Sequence, residues 1–366
     1  MIDIDASMGE GGGQIVRSAL ALAACTGLSV TLHNVRARRA NPGLRAQHLA
    51  AVRAVAAICG AKVSGATMAS CELSFEPGQV QPGRYEVDVG TAGSTMLVLQ
   101  TVLPALSLCG ARSEIILRGG THNPRAPTFE FVRDSYLPLL ARLGFDAQAV
   151  LDRHGFFPRG GGVIRASIAP LRHCSALELI DRGPVRTRSV SVLLSGLPEQ
   201  IGRREIAILR ERLGLSEDSC VVQDVAALGT GNVIHVRVEA ANVTTVFAGF
   251  GLRGVRAESV AGQVADEVDR YLDAEIAVDA RLADQLLLPL ALAAGGMFST
   301  LRPTAHTETN AAVIRRFVPV EFGTTAIGPG RWTIALRPRA ASPSSSLSLE
   351  SSDSSSVSFS NNSLAP

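Results

Sequence analysis

The sequence predicts an α/β (α+β) protein whose body is assembled from three similar helix-and-strand units, with a small α/β domain inserted in its second half. Three observations predict this. An apolar helix rich in alanine and leucine occurs three times, each time followed by glycine, a short strand and a polar connection. The stretch from Val185 to Asp273 breaks that plan with an alternation of its own. The 366 residues are 46% hydrophobic but only 4% aromatic, and mean hydropathy is +0.22, enough for a large core of Ala, Val, Leu and Ile.

Residues 14–27 form the first apolar helix, ending on Gly27; strand Leu28–Val35 follows, then a basic connection and a second helix from about Pro42. Residues 93–110 repeat the plan, with strand Glu114–Leu117 and the connection Arg118–His122. The third copy begins at Leu282 and continues through Gly295–Gly296, strand Phe298–Leu301, the connection Arg302–His306 and a helix over Ala311–Phe317. Glycine suits a helix C-terminus because the left-handed conformation costs it nothing. Alternating segments at Val30–Leu32, Tyr85–Val89 and Trp332–Leu336 supply further strands. In the insertion, Ser189–Leu194, Ser219–Val225, Val233–Val238 and Val243–Phe250 read as strands, and Gln200–Leu213 and Ala257–Leu272 as helices. Gly249–Phe250–Gly251 is expected to turn the chain back to the body. The domains are therefore residues 1–184 plus 274–338, the insertion 185–273, and a serine-rich tail, 339–366, expected to be disordered.

Composition excludes several classes. No run of roughly 18 uninterrupted apolar residues occurs, so no transmembrane helix and no membrane partner are expected. The alternating acidic start, Met1–Asp5, is unlike a secretion signal, which leaves the cytoplasm as the expected compartment. The six cysteines (Cys25, Cys59, Cys71, Cys109, Cys174, Cys220) have no paired spacing; reduced core thiols are expected, and a zinc site is not. A net charge of +2 gives no global nucleic-acid footprint, but Lys62 is the single lysine among 35 basic residues. Its Lys62–Val63–Ser64–Gly65 context lacks the acidic residue of a lysine nucleotidyl-transfer motif.

The chemistry-bearing residues gather at the post-strand connections. Glu10–Gly11–Gly12–Gly13–Gln14 opens the first helix, where backbone N–H groups can approach a phosphate. Glu10 could bind a metal, and Gln14 and Arg17 share a face. Arginine in a first turn opposes the helix dipole, which a bound anion or simple exposure would resolve. Arg36–Ala37–Arg38–Arg39 and Arg45–Ala46–Gln47–His48 form the densest basic cluster, a solvated face or a phosphate contact. Gln100 is an amide in an apolar helix. Asp284–Gln285 either caps the third apolar helix or faces a ligand. His306 stands among Thr304, Thr307 and Thr309, with Glu308 and Asn310, on a strand-to-helix connection that can set its tautomer. His122 matches it in the repeat plan without the hydroxyls; His33, His154, His173 and His235 read as structural or surface.

Together these segments resemble the RNA 3′-terminal phosphate cyclase family over residues 1–338. The matching pieces are Gly9–Gln14 with Arg17, Arg36–Arg39 with Pro42–Leu44 and Gln47–His48, Gly119–Thr121 with Asn123–Pro124 and Ala126–Pro127, Pro158–Gly162, Leu282–Gln285, and His306 with Thr309–Asn310. The resemblance implies three βαβαββ-type repeats with the inserted domain, and three chemical steps. His306 takes AMP from ATP; the 3′-phosphate of an RNA takes the AMP from histidine; the ribose O2′ closes a 2′,3′-cyclic phosphate and expels AMP. It implies that Gln14, Gln100, Pro127, Phe250, Arg281, Leu282, Ala283, Asp284 and Gln285 surround the adenylate. Arg17, Arg36, Arg39, Gln47 and His48 would contact triphosphate or RNA phosphate, and Glu10 a divalent metal, Mg2+ or Mn2+. The family often has tyrosine where Arg281 stands; a guanidinium can also stack on a base.

Three other readings compete. A non-catalytic ribosome-assembly relative lacks the histidine. Enolpyruvyl transferases share the repeat architecture but need lysines that this chain lacks. A pure RNA-binding module leaves His306 and Asp284 unexplained. Oligomeric state is left open.

Overall fold

The computed structural model describes residues 1–339. The first unit contains β1 (Ile2–Asp5), α1 (Gly13–Thr26), β2 (Val30–His33), α2 (Ala46–Cys59), β3 (Lys62–Ser64) and β4 (Leu73–Glu76). Its sheet order is β1-β2-β4-β3, with the first pair parallel and the others antiparallel. The second unit repeats this with β5 (Arg84–Asp88), α3 (Thr95–Ser107), β6 (Ser113–Gly119), a helical run from α4 (Phe129–Phe131) through a π turn (Val132–Tyr136) to α5 (Leu137–Leu143), β7 (Ala147–Arg153) and β8 (Gly162–Ile168), in the order β5-β6-β8-β7.

The third unit starts earlier than the sequence suggested. Its first strand is β9 (Leu177–Leu179), and the insertion follows that strand instead of separating units two and three. Three residues with two leucines carry too little periodicity to announce a strand. The insertion comprises β10 (Val185–Ser195), α6 (Glu199–Leu213), β11 (Cys220–Asp224), β12 (Gly231–Ala240), β13 (Thr244–Phe250) and α7 (Ala257–Asp273), with sheet order β11-β10-β12-β13. Gly249 and Phe250 finish β13, and the chain crosses the inserted sheet again as α7 before returning. The third unit then resumes with α8 (Ala280–Leu292), β14 (Gly296–Thr300), α9 (Ala305–Phe317), β15 (Val320–Gly328) and β16 (Arg331–Pro338), in the order β9-β14-β16-β15. The three βαβαββ repeats implied by the resemblance are therefore present.

Several boundaries differ. The second helix begins at Ala46, not near Pro42; the intervening loop is held by Gly43, whose φ of 74° puts its backbone against Ala69. Gly27 and Gly295 adopt the left-handed conformation, but α3 ends in right-handed Leu108 and Gly110 does not. Asp279 caps α8, accepting from the Arg281 and Leu282 amides, so Asp284 and Gln285 lie inside the helix. Only Cys59 and Cys109 are buried; Cys71 and Cys174 are exposed, and all six are free thiols.

One apolar cluster joins the three units, with Leu20, Leu103, Leu287 and Phe298 fully buried. Helix α1 packs on α2, α3 and α9, its Ala19 and Ala23 allowing close approach. The inserted sheet has its own cluster beneath α6 and α7, including Ile234, Leu209, Val264 and Tyr271. Phe156 meets Leu193 and Val233 where the insertion touches the second unit. Among the described residues no helix is long and apolar enough to cross a membrane. The serine-rich tail lies outside the described residues from residue 340 onward; Arg339 donates its N–H to the Pro319 carbonyl at 2.8 Å.

Candidate active site

The N-terminal ends of α1 and α9 and one face of α8 meet around a cleft of about 1000 Å³. The glycine run shapes one end. Gly12 precedes α1 without a side-chain cap, leaving first-turn N–H groups available to an anion. Gly9 and Gly13 are needed for contact: a Cβ at Gly9 would collide with the Thr309 hydroxyl, and one at Gly13 with His48 Nε2.

His306 is not on the connection itself but in the first turn of α9, which starts at Ala305 behind a Thr304 cap. Thr304 Oγ1 accepts from the Thr307 amide at 3.1 Å. The same hydroxyl donates to Asp284 Oδ1 at 3.1 Å, and Thr307 Oγ1 donates to that oxygen as well. Asn310 donates from Nδ2 to the Asp284 carbonyl at 2.9 Å, and its Oδ1 accepts from Ser18 Oγ at 2.7 Å. The threonines thus bind α9 to α8, and Asn310 adds α1. Burial pushes the Asp284 carboxyl up to about 6, partly offset by the two hydroxyls and by His306.

The imidazole has two engaged nitrogens. Nδ1 lies 3.2 Å from Gln14 Oε1, and Nε2 lies 2.8 Å from Glu10 Oε2. An amide oxygen can only accept, so the Gln14 contact places a proton on Nδ1. Nε2 faces Glu10, the residue that opens the glycine run. Arg39 Nη2 in turn donates to the Glu10 carbonyl at 3.0 Å and lies 3.4 Å from Glu10 Oε2.

A basic wall stands opposite. Arg17 and Arg45 line the cleft, and neither has an acidic partner among the described residues. Burial pushes the Arg17 guanidinium down to about 10. Arg36 does not present a free fork: its Nη1 donates to the Asn41 and Gly43 carbonyls at 2.7 and 2.9 Å. His48 is buried, and burial together with Arg17, Arg36 and Arg45 pushes it down to about 3, keeping it neutral. Its Nδ1 accepts from the Arg45 amide at 3.0 Å, leaving Nε2–H as a donor beside Gly13.

The far end is less charged. Gln100 Nε2 donates to Gln285 Oε1, and Gln285 Nε2 to the Arg281 carbonyl at 3.1 Å. Pro127 and, from the inserted sheet, Val246, Ala248 and Phe250 complete this wall. Arg281 lines the cleft with its guanidinium paired to Glu267 Oε1 at 2.7 Å.

The structure thus brings together at the cleft Gln14, Arg17, Arg36, Arg39, Gln47, His48, Gln100, Pro127, Phe250, Arg281, Asp284, Gln285 and His306, with Glu10 at the rim. It does not bring in Leu282 and Ala283, which are 0% and 2% exposed and face the core. The helix period separates them: Arg281, Asp284, Gln285 and Leu288 share the cleft face at i, i+3, i+4 and i+7. Nor does Arg118–His122 converge with the other two connections. Arg118 pairs with Glu86 at 2.6 Å, and His122 is buried elsewhere; Pro124–Thr128 serves the cleft instead. Sequence reasoning missed Arg125, at φ 66° between Pro124 and Ala126–Pro127, and passed over Arg45 as a site residue. An arginine held between two prolines was the available signal.

The sequence model of a family described as RNA 3′-terminal phosphate cyclase matches residues 8–324. A protein from Salmonella enteritidis named RNA 3′-terminal phosphate cyclase is 44% identical over 330 residues, covering 90% of this chain and 97% of its own. One of the same name from Salmonella agona is 45% identical over 322 residues, covering 88% and 93%. Among solved structures, the enolpyruvyl transferase NikO from Streptomyces tendae aligns over 91% of this chain and 47% of its own, at 11% identity and a TM-score of 0.36, too slight a likeness to argue from.

Proposed function

Because the chain belongs to the RNA 3′-terminal phosphate cyclase family, we propose that it converts RNA 3′-phosphate ends to 2′,3′-cyclic phosphates at the expense of ATP, through AMP carried on His306. The observation that supports this most is the pair of contacts on the imidazole. Gln14, in the first turn of α1, meets Nδ1, and Nε2 meets Glu10, in the loop that leads into the uncapped start of α1.

In the first step Nε2 attacks the α-phosphorus of ATP, an N–P bond forms, and the bond to pyrophosphate breaks. Gln14 Oε1 keeps its hydrogen bond to Nδ1–H as positive charge develops on the ring. Arg17, Arg39, Arg45, the His48 Nε2–H and the α1 amides stabilise the departing phosphates. Acceptors at both Nδ1 and Nε2 require a proton on each nitrogen, so Glu10 must take the Nε2 proton and move away before attack. As a hard oxygen donor beside the phosphate wall it fits a Mg2+ or Mn2+ ion, which when bound would neutralise phosphate charge. Pro127, Phe250 and the Gln100–Gln285 amides bound the nucleoside end, and Arg281, steadied by Glu267, can cover the base.

In the second step an oxygen of the RNA 3′-phosphate attacks the same phosphorus and the N–P bond breaks, restoring neutral histidine. The terminal phosphate now has AMP as a leaving group. In the third step O2′ attacks the 3′-phosphorus, the bond to AMP breaks, and the hydroxyl proton passes to water.

The test is covalent labelling. Incubation with α-labelled ATP and a divalent metal transfers label to wild-type protein in an acid-labile, base-stable bond, and His306→Ala takes up none. Label retained by His306→Ala would sink the histidine assignment.

A further inference from the structure

Beside the wall that carries Phe250, two imidazoles and a carboxylate converge in a buried site that the cyclisation chemistry does not use. His122 Nε2 lies 2.8 Å from Glu130 Oε2, and His235 Nε2 lies 3.2 Å from the same oxygen. The side chains are 0%, 15% and 3% exposed for His122, Glu130 and His235. A donor atom from each lies within 4.8 Å of the other two. Each comes from a different part of the fold: His122 from the connection after β6, Glu130 from α4, and His235 from β12 of the inserted sheet.

From this geometry we propose that His122, Glu130 and His235 bind a divalent transition-metal ion of the zinc class, which fastens the inserted sheet to the body. Two imidazoles and a carboxylate are a recurrent zinc donor set. Atoms each about 2.1 Å from one ion at the tetrahedral angle lie roughly 3.4 Å apart, so the observed 2.8 and 3.2 Å must open by about 0.6 and 0.2 Å, with the third side of the triangle, within 4.8 Å, adjusting to match. The outer shell is in place for one ligand. His122 Nδ1 lies 2.8 Å from Thr121 Oγ1, which itself accepts from the Gly155 amide at 2.9 Å. With Nδ1–H donated to that hydroxyl, His122 Nε2 presents its lone pair to the ion.

His235 supplies the independent observation. Both of its ring nitrogens are buried without a hydrogen bond: Nδ1 has no partner, and Nε2, although 3.2 Å from Glu130 Oε2, is not aligned for one; that is unfavourable for an imidazole away from water and is relieved by coordination. The site also has a mechanical consequence. His235 pairs directly with Ala248 across the β12–β13 ladder, and Ala248 and Phe250 line the cleft. Tying His235 to the body therefore fixes the strand that forms the nucleoside wall. Nitrogen donors distinguish this site from the oxygen-only position at Glu10.

Metal content of the full-length protein, measured after zinc exposure and desalting, tests the proposal. About one zinc per chain is expected in wild type and in Glu10→Gln, and none in His235→Gln. Zinc should raise the Tm of the first two proteins and leave the third unchanged. Co2+ added to metal-free wild type provides a measurement independent of how the variant folds. It should give the visible d–d bands of a four-coordinate nitrogen and oxygen site, bleached by zinc. Wild type that retains no zinc and shows only the spectrum of aqueous Co2+, or zinc that survives in folded His235→Gln, overturns the assignment.

Discussion

At the scale of single residues, Asp284 shows how a carboxylate can serve a site without touching its chemistry. It receives hydroxyls from Thr304 and Thr307 and sits in the field of His306 and of Asp279 on its own helix, but burial dominates and pushes it up to about 6. The folded protein therefore takes up a proton, between the ordinary value of 3.8 and about 6, that the unfolded chain does not hold. The associated stability is fully present below that window and is lost as pH rises through it. In Asp284→Asn, whose amide oxygen still accepts from both threonines, this loss should vanish. Thermal melts of the two proteins across the window check it: parallel curves would show that Asp284 does not titrate there. The roles of Asp284 and Gln285 were open in the sequence because a cap and a ligand use the same residue types. Asp279, six residues before Gln285, takes the cap, which leaves Asp284 to the Thr304 and Thr307 hydroxyls and Gln285 to Gln100. The resemblance implies a phosphate contact for Arg36; it lines the cleft, with its Nη1 donating to two carbonyls of its own loop.

At the scale of elements, α9 is the one whose start matters most. The sequence placed its beginning at Ala311, where apolar spacing becomes regular. In the structure the helix starts six residues earlier, because Thr304 and Thr307 cap each other reciprocally. Threonine in place of the usual glutamate or glutamine at the third position hid that signal. Starting at Ala305 turns His306 toward α1 and sets its ring between Gln14 and Glu10. Thr304→Ala should therefore cost about 1 kcal/mol of stability in urea denaturation and slow His306 labelling, while Thr304→Ser retains both. A Thr304→Ala protein as stable and as fast as wild type would show that the cap does not position the histidine. The longer elements of the insertion were legible, whereas the helical run from Phe129 to Leu143 and strand β15 were not. Helix α7 and strands β12 and β13 were located to within a few residues, because their periodicity runs over several turns or alternations.

At the scale of the whole molecule, the cleft is assembled from α1, α2, α3, α8, α9 and β13, so residues far apart in sequence meet only when the repeats pack. Glu10 and His306, in contact here, belong to the first and third units. All the side chains discussed at this cleft lie between Glu10 and Asn310. Deleting residues 342–366 should accordingly leave covalent labelling with α-labelled ATP at the wild-type rate. A large loss would place part of the active site in that segment. Repetition and the chemistry of the glycine run, the arginine clusters and His306 could all be read from the sequence, because each depends on neighbouring residues or on short periods. The convergence of His122, Glu130 and His235, the exclusion of Arg118, and the inward turn of Leu282 and Ala283 could not. Those depend on which faces of distant elements meet, and that is settled by packing alone.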